Sequence, residues 1–315
     1  MKKYIVLLAM GFVLFLTACG NNNGQEETDG EGESTNTSDP IIVSGQNGVE
    51  LDAVPERVIA PYMEDTLVAL GVKPVAQWAI GDTVQNYLQD DLEGVEKIEW
   101  DLPPESVLSH DPDLIILSAL DSMAGQLEDY ENIAPTYVFE PSVHADLREQ
   151  VLTVGKLLDK EDEAEERLAA YDEHVTQAKE TLSDEVADET VAMIWVSGDQ
   201  YFMFEEDRHA AKVLYQDVGL TPSDVTKELG EAGENWDPIS LEKLSELQAD
   251  HLFLLGKEDA AGMETLENSS IYQNLPAVQN EQVYHIEDQS NWTNKGIIAY
   301  EQTLDEVVDV FTDES

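Results

Sequence analysis

Basic side chains are scarce in this chain. Its 315 residues carry 16 lysines and arginines against 67 acids, a net charge of -51. That balance works against nucleic-acid binding and against electrostatic adhesion to an anionic membrane. The acids are spread along the chain rather than gathered in one tail, which points to solubility in a saline or alkaline exterior. Cysteine occurs once, at Cys19, so neither an intramolecular disulfide nor a thiolate metal cluster can form. The six histidines (His110, His144, His174, His209, His251 and His285) are scattered, with no pair at i, i+4. A bare divalent metal site would need three or four converging ligands, so none is expected. Gly-x-Ser-x-Gly, a phosphate loop and Gly-x-Gly-x-x-Gly are all missing. No catalytic residue is therefore nominated, and the chain does not read as an enzyme.

What is present starts with a short apolar run. Lys2 and Lys3 precede Tyr4 to Leu16, about 13 residues where a membrane-spanning helix needs about 20. Residues 1–18 read as a signal peptide. The run ends Leu16-Thr17-Ala18-Cys19-Gly20, which resembles a bacterial lipobox, and the sole cysteine stands where that motif requires it. The resemblance implies that Cys19 is acylated and becomes the mature N-terminus. From there to Pro40 no aliphatic or aromatic side chain occurs, so 19–40 reads as the lipidated Cys and a disordered tether.

The rest is organised around Lys160 to Ser183. Ala164, Leu168, Tyr171, Val175, Ala178 and Leu182 recur in steps of four and three, one apolar stripe on a helix of about six turns. By itself that pattern also suits a surface helix or a coiled-coil arm. The chain on either side, however, repeats one grammar. Before it come a strand at Arg57–Ala60, a helix at Glu64–Leu70 stopped by Gly71, extended chain at Val72–Val75, a short helix at Leu102–Leu108 and a buried strand at Asp113–Ser118. Tyr137–Phe139 adds a strand and 145–158 a helix. After it come a strand at Thr190–Val196, a helix at Ala210–Asp217 stopped by Gly219, a short helix at Ile239–Leu244 and a buried strand at Asp250–Leu255. Gly71 and Gly219 each precede a proline by three residues, and Glu105–Asp113 and Glu242–Asp250 share a spacing of eight. This predicts an α/β fold of two Rossmann-like lobes joined by one long rigid α-helix, with the ligand cleft between the lobes. The boundaries are 41–159 for the first lobe, 160–184 for the helix and 185–315 for the second.

Several segments carry a family resemblance. The lipobox, Val54-Pro55-Glu56-Arg57-Val58, Leu70-Gly71-Val72-Lys73-Pro74-Val75, Pro112-Asp113-Leu114-Ile115-Ile116, Ile133-Ala134-Pro135-Thr136 and Ile239-Ser240-Leu241-Glu242 together resemble the helical-backbone substrate-binding proteins of ABC importers. The closest likeness is to the ferric-siderophore-binding lipoproteins of Gram-positive bacteria. It implies a monomer, lipid-anchored on the outer face of the cytoplasmic membrane, that delivers a ferric siderophore to an ABC permease dimer and its ATPase subunits. The stiff helical hinge would allow only small closing motions. No cofactor is implied, because the chelator holds the iron. The resemblance also implies that one surface glutamate on each lobe docks onto permease arginines, by position Glu105 and Glu242. As acids opening short helices both also suit the helix dipole, and the two roles are compatible.

Ligand contacts are expected on loops at the carboxyl ends of strands. In the first lobe these are Pro61-Tyr62, Gln77-Trp78 and Ala119–Ser122. In the second they are Ser197–Tyr201, Asp207-Arg208-His209, Asn235-Trp236 and Asn291-Trp292. Aromatic faces with a few donors suit a bulky, oxygen-rich chelate. Of the four arginines, Arg57 precedes a strand and Arg167 sits among acids on the long helix, leaving Arg148 and Arg208 as candidate ligand arginines. Either also reads as an ordinary surface residue. The expected ligand set is Tyr62, Trp78, Arg148, Tyr201, Arg208, His209 and Trp292. A tris-catecholate, triply negative, would need several cations in a drying cleft. So few cations favour a hydroxamate or citrate-hydroxamate chelate, with ferric catecholate, haem, a corrinoid or a bare divalent metal as alternatives.

Overall fold

In the computed structural model, which describes residues 40–121, 123–186, 188–233, 235–258 and 260–312, the strands group into two lobes joined by one long helix. The signal peptide, Cys19, the tether as far as 39, and Ser122 of the expected cleft lie outside the described residues.

The first lobe opens with an antiparallel hairpin of β1 (Ile41–Val43) and β2 (Val49–Leu51). Then β3 (Val58–Ile59), β4 (Ala76–Ala79), β5 (Glu96–Glu99), β6 (Leu114–Leu117) and β7 (Thr136–Val138) follow. They form a parallel sheet β3-β6-β7 and a parallel pair β4-β5. A bond from Val75 N to Val58 O, 3.0 Å, lays that pair alongside β3. The second lobe holds β8 (Thr190–Ser197), β9 (Gln200–Met203), β10 (Thr221–Pro222), β11 (Pro238–Ile239), β12 (His251–Leu255) and β13 (Val283–Ile286). Their order is β11-β9-β8-β12-β13, with β10 parallel to the start of β8. Here β8, β12 and β13 run parallel, β9 turns back antiparallel to β8, and β11 pairs antiparallel with β9.

Period-two alternation assigns each central strand two apolar faces. Leu114 and Ile116, Val191 and Met193, and Phe253 and Leu255 all enter one continuous core. Their alternates Ile115 and Leu117 fill a second cluster in the first lobe. Ala192, Ile194, Leu252 and Leu254 fill another in the second. The shared core runs through the helix Glu161–Glu185, whose Ala164, Leu168, Tyr171, Ala178 and Leu182 are buried and whose Val175 is partly so. At 1.5 Å per residue that helix is about 37 Å long. A last helix, Ile297–Thr312, packs against it and against the first-lobe helix Glu64–Ala69.

The repeat read from spacing is also a repeat of bonds. Asp113 N donates to Arg57 O (2.9 Å) while the Asp113 carboxylate accepts from Glu56 N and Arg57 N, both at 2.8 Å. In the second lobe Asp250 N donates to Thr190 O (3.0 Å), and the Asp250 carboxylate accepts from Thr190 N at 2.8 Å. The turn residues Gly71 and Gly219 are both left-handed, φ 72° and 94°, a conformation glycine adopts without penalty.

Three local expectations shift. The extended stretch at Val72–Val75 is displaced to Ala76–Ala79, because Pro74 has no N–H for a ladder. Gln77 and Trp78 therefore lie inside a strand rather than on a loop. The helix expected at 145–158 is two: Pro141–Ala145, then Leu147–Leu157, which Asp146 caps by accepting from Arg148 N (2.8 Å) and Glu149 N (3.1 Å). The helix expected at Ala210–Asp217 is one α-helical turn, Ala210–Lys212, continued as a π-helix over Val213–Val218.

Candidate functional site

The first lobe ends its strands on an aromatic platform. β3 runs out through Ala60 and Pro61 into Tyr62, whose φ of 63° is left-handed and strained for a tyrosine. That turn lays the half-buried ring on the Trp78 indole, centroids 4.6 Å apart and planes 28° apart. Beneath them Glu64 is buried. One carboxyl oxygen accepts from Trp78 N (2.9 Å), while Oε2 and Trp78 Nε1 are buried without a partner among the described residues. Burial pushes the Glu64 carboxyl up to about 8, above what its bonds from Trp78 and nearby backbone N–H groups would otherwise hold down. The carboxyl is then largely protonated at neutral pH.

The second lobe presents an aromatic cluster around Trp236. Its ring lies 5.2 Å from Trp195, 4.8 Å from Phe204 and 5.9 Å from His209. The Arg208 guanidinium sits over the same indole, 4.5 Å from its centroid. Arg208 also pairs bidentately with Glu205 and donates to Gly233 O (3.1 Å) and Asn235 O (3.0 Å).

The two lobes meet beside these groups. Lys295 Nζ donates to His144 O, and Tyr87 N donates to Ser290 Oγ at 3.1 Å. Burial, then the charge of Lys212, brings Lys295 down to about 8. Burial also lowers His144 to about 4, with Lys295 assisting, and His209 to about 4, with Arg208 and Lys295 assisting. Both imidazoles are thus neutral donors or acceptors at neutral pH. Deeper in, Asp65 accepts from Ile298 N (3.1 Å) and Ala299 N (2.9 Å) at the start of the last helix. Its carboxyl rises to about 6, because burial outweighs those bonds and the one from Tyr87. Such a face can stack on a flat or bulky guest and offer it neutral hydrogen-bonding groups. Among the described residues, no group of three or more His, Cys, Asp or Glu side chains could hold a metal ion.

This architecture has known counterparts. The model of the periplasmic binding protein family matches residues 61–290. The chain belongs to this family. A protein from Bacillus subtilis (strain 168), named iron(3+)-hydroxamate-binding protein FhuD, is 30% identical over 292 residues, covering 91% of this chain and 90% of its own. A second protein of that strain, a probable siderophore-binding lipoprotein named YfiY, is 27% identical over 99% of both chains. Among solved structures, one from Bacillus subtilis is described as a FhuD-fold periplasmic binding protein component of a Fep/Fec-like ferrichrome ABC transporter. It superposes with a TM-score of 0.74 at 27% identity, covering 86% of this chain and 100% of that one.

Within this periplasmic binding protein the expected ligand residues divide. Tyr62 and Trp78 form one platform, and Arg208 and His209 border another. Two of the expected residues point into the interior in this structure. Tyr201 packs in the second lobe's own core with its hydroxyl on Gly262 O (3.1 Å). Trp292 is fully buried against Phe253, its indole N–H bonded to Glu306 at 2.6 Å. Both polar tips already have buried partners, so both side chains belong to the interior. Arg148 pairs with Asp172 on the linking helix and lies 5.8 Å from the Tyr171 ring. Glu105 and Glu242 are exposed in the first turns of their short helices, as expected. His144 and Lys295 were not singled out, since nothing local marks a residue that matters by meeting the other lobe. Trp236, on one of the expected contact loops but outside the expected ligand set, is the centre of its cluster.

Proposed function

We propose that this protein is the substrate-binding component of an ABC importer, capturing a ferric siderophore between its lobes and delivering it to a membrane permease. The favoured ligand is a hydroxamate or citrate-hydroxamate chelate. Membership in the periplasmic binding protein family, whose named relatives are substrate-binding proteins, supports reading it as a binding protein for transport. What carries the ligand reading is the full-length relationship to a protein named for iron(3+)-hydroxamate binding. The geometry supports it. Two aromatic platforms, Tyr62–Trp78 and Trp195–Trp236, come with neutral imidazoles and few free cations, as a chelate that already satisfies its iron requires. In this reading Cys19 carries the lipid anchor at the outer face of the membrane, the chain works as a monomer, and Glu105 and Glu242 dock onto the permease.

Tryptophan fluorescence tests this. The chain is titrated with ferric hydroxamate, ferric citrate, ferric catecholate and haemin, each against its iron-free form. Saturable quenching by the ferric hydroxamate or citrate at micromolar concentration or below is the expected result. Quenching by the catecholate alone would reverse the ligand class, and quenching by haemin alone would move the reading to haem. No response to any of them would remove the siderophore assignment.

A further inference from the structure

Resting on that function, we propose that Glu205 sets the charge class of the ligand, by cancelling the one guanidinium that the second lobe brings to the interlobe face. Arg208 and Glu205 are three residues apart, and the intervening turn folds back so that Nε and Nη2 meet both carboxylate oxygens, Nη2–Oε1 at 2.9 Å. The side chains are only 5% and 10% exposed, so solvent screens the pair little. Gly233 O and Asn235 O hold the same Nη2, and the Trp236 ring covers the guanidinium plane. The arginine is held as a buried block whose charge is compensated inside the protein.

Its place is at the ligand face. His209, the next residue, feels Lys295, which bonds across to the first lobe at His144. Around the pair, Asp207 is committed to Ala232 N (2.8 Å), while the charge of Lys295 reaches His209 and that of Lys212 reaches Lys295. The face therefore presents an aromatic wall with no net charge from Arg208. It suits a neutral or cationic ferric trihydroxamate and discriminates against an anionic chelate. At an effective dielectric near 20, one uncompensated charge at about 8 Å changes binding of a unit-charged ligand by roughly ten-fold or more.

The test uses three ferric chelates of one hydroxamate skeleton: ferrioxamine B with its free ammonium, its N-acetyl derivative, which is neutral, and its N-succinyl derivative, which is anionic. The full chain in mild detergent is titrated with each by fluorescence. The wild-type protein is expected to bind the cationic and neutral forms more tightly than the anionic one. Glu205→Gln should raise the anion-to-neutral affinity ratio by about ten-fold and the anion-to-cation ratio by about a hundred-fold. Arg208→Gln should lower both, and the double variant should return them to the wild-type values, which a merely structural role would not do. Because the two single variants move the ratio in opposite directions, either one that folds suffices. A wild-type preference for the anionic form, or a ratio unmoved by both variants, overturns the charge assignment and leaves the importer reading standing. Failure of the wild-type protein to bind any of the three overturns the charge assignment, while the importer reading is decided separately by the titration with ferric citrate, ferric catecholate and haemin.

Discussion

Asp65 occupies the space that a side chain at Gly296 would need. A Cβ on Gly296 falls inside the Asp65 carboxyl group, which from the first lobe caps the last helix through Ile298 N and Ala299 N. One contact thus ties the helix Glu64–Ala69 to the helix Ile297–Thr312, and the glycine is what lets the carboxylate reach the N–H groups.

Gly296→Ala should therefore destabilise the fold by about 2–3 kcal/mol, since displacing Asp65 both strains the backbone and strands a buried carboxyl group. Urea denaturation followed by tryptophan fluorescence measures this. A midpoint equal to the wild type's would show that the cap is not needed.

Glu64 makes stability fall as pH rises. Its folded value of about 8 lies above the ordinary 4.5, so the folded state holds the proton more tightly than the unfolded chain does. Stabilisation from that proton is complete below about 4.5 and lost as pH climbs through about 8. Glu64→Gln keeps an acceptor for Trp78 N and removes the titration. Relative to the wild type, the variant should gain a few kcal/mol between pH 5 and pH 9. A stability difference that stays constant across that range would mean Glu64 is ionised in the fold.

These interior carboxyls mark the limit of what patterning reveals. The linking helix, the central strands and the paired spacings at Asp113 and Asp250 were legible because each follows a period or a turn rule within one segment. β5 was not, because Glu96, Lys97 and Glu99 are exposed and only Ile98 is buried, leaving no alternation to read. The Tyr62–Trp78 platform was half legible. Both residues were named, but Trp78 was placed on a loop, since the strand start depended on Pro74. The inward packing of Tyr201, near the start of β9, and of Trp292, in the turn before the last helix, was not legible, because such an aromatic looks alike whether its polar tip meets a ligand or, as here, Gly262 O and Glu306. The meeting of Lys295 with His144 was invisible, being a property of lobe arrangement and of no single stretch.

Tyr62 combines strain with exposure, which separates its roles. Tyr62→Gly relieves the left-handed backbone, φ 63°, so stability should hold or rise by about 1 kcal/mol. The same change removes half of the stacked platform and should weaken ferric hydroxamate binding by about ten-fold, the scale of a single aromatic stacking interaction. Retained affinity would place the ligand away from the first lobe's platform.

The two arginines tied to the linking helix should behave differently, and the difference follows from exposure. Arg167 grips Glu301 with both guanidinium arms, Nη1–Oε1 at 2.7 Å, with the side chains 23% and 18% exposed, and its charge also eases the buried Asp65. Removing it takes the guanidinium from the partly buried Glu301 and its charge from the buried Asp65, so Arg167→Met should cost about 2–3 kcal/mol. Arg148 makes the analogous pair with Asp172, but those side chains are 48% and 54% exposed, so solvent already screens the charges. Arg148→Met should cost less than about 1 kcal/mol. Because Asp172 and the Tyr171 ring hold the Arg148 guanidinium on the linking helix, the same variant should leave ferric hydroxamate affinity unchanged. Denaturation midpoints and fluorescence titrations of the two variants check both statements. A fall in affinity in Arg148→Met at unchanged stability would show that this arginine leaves Asp172 for the ligand when the lobes close.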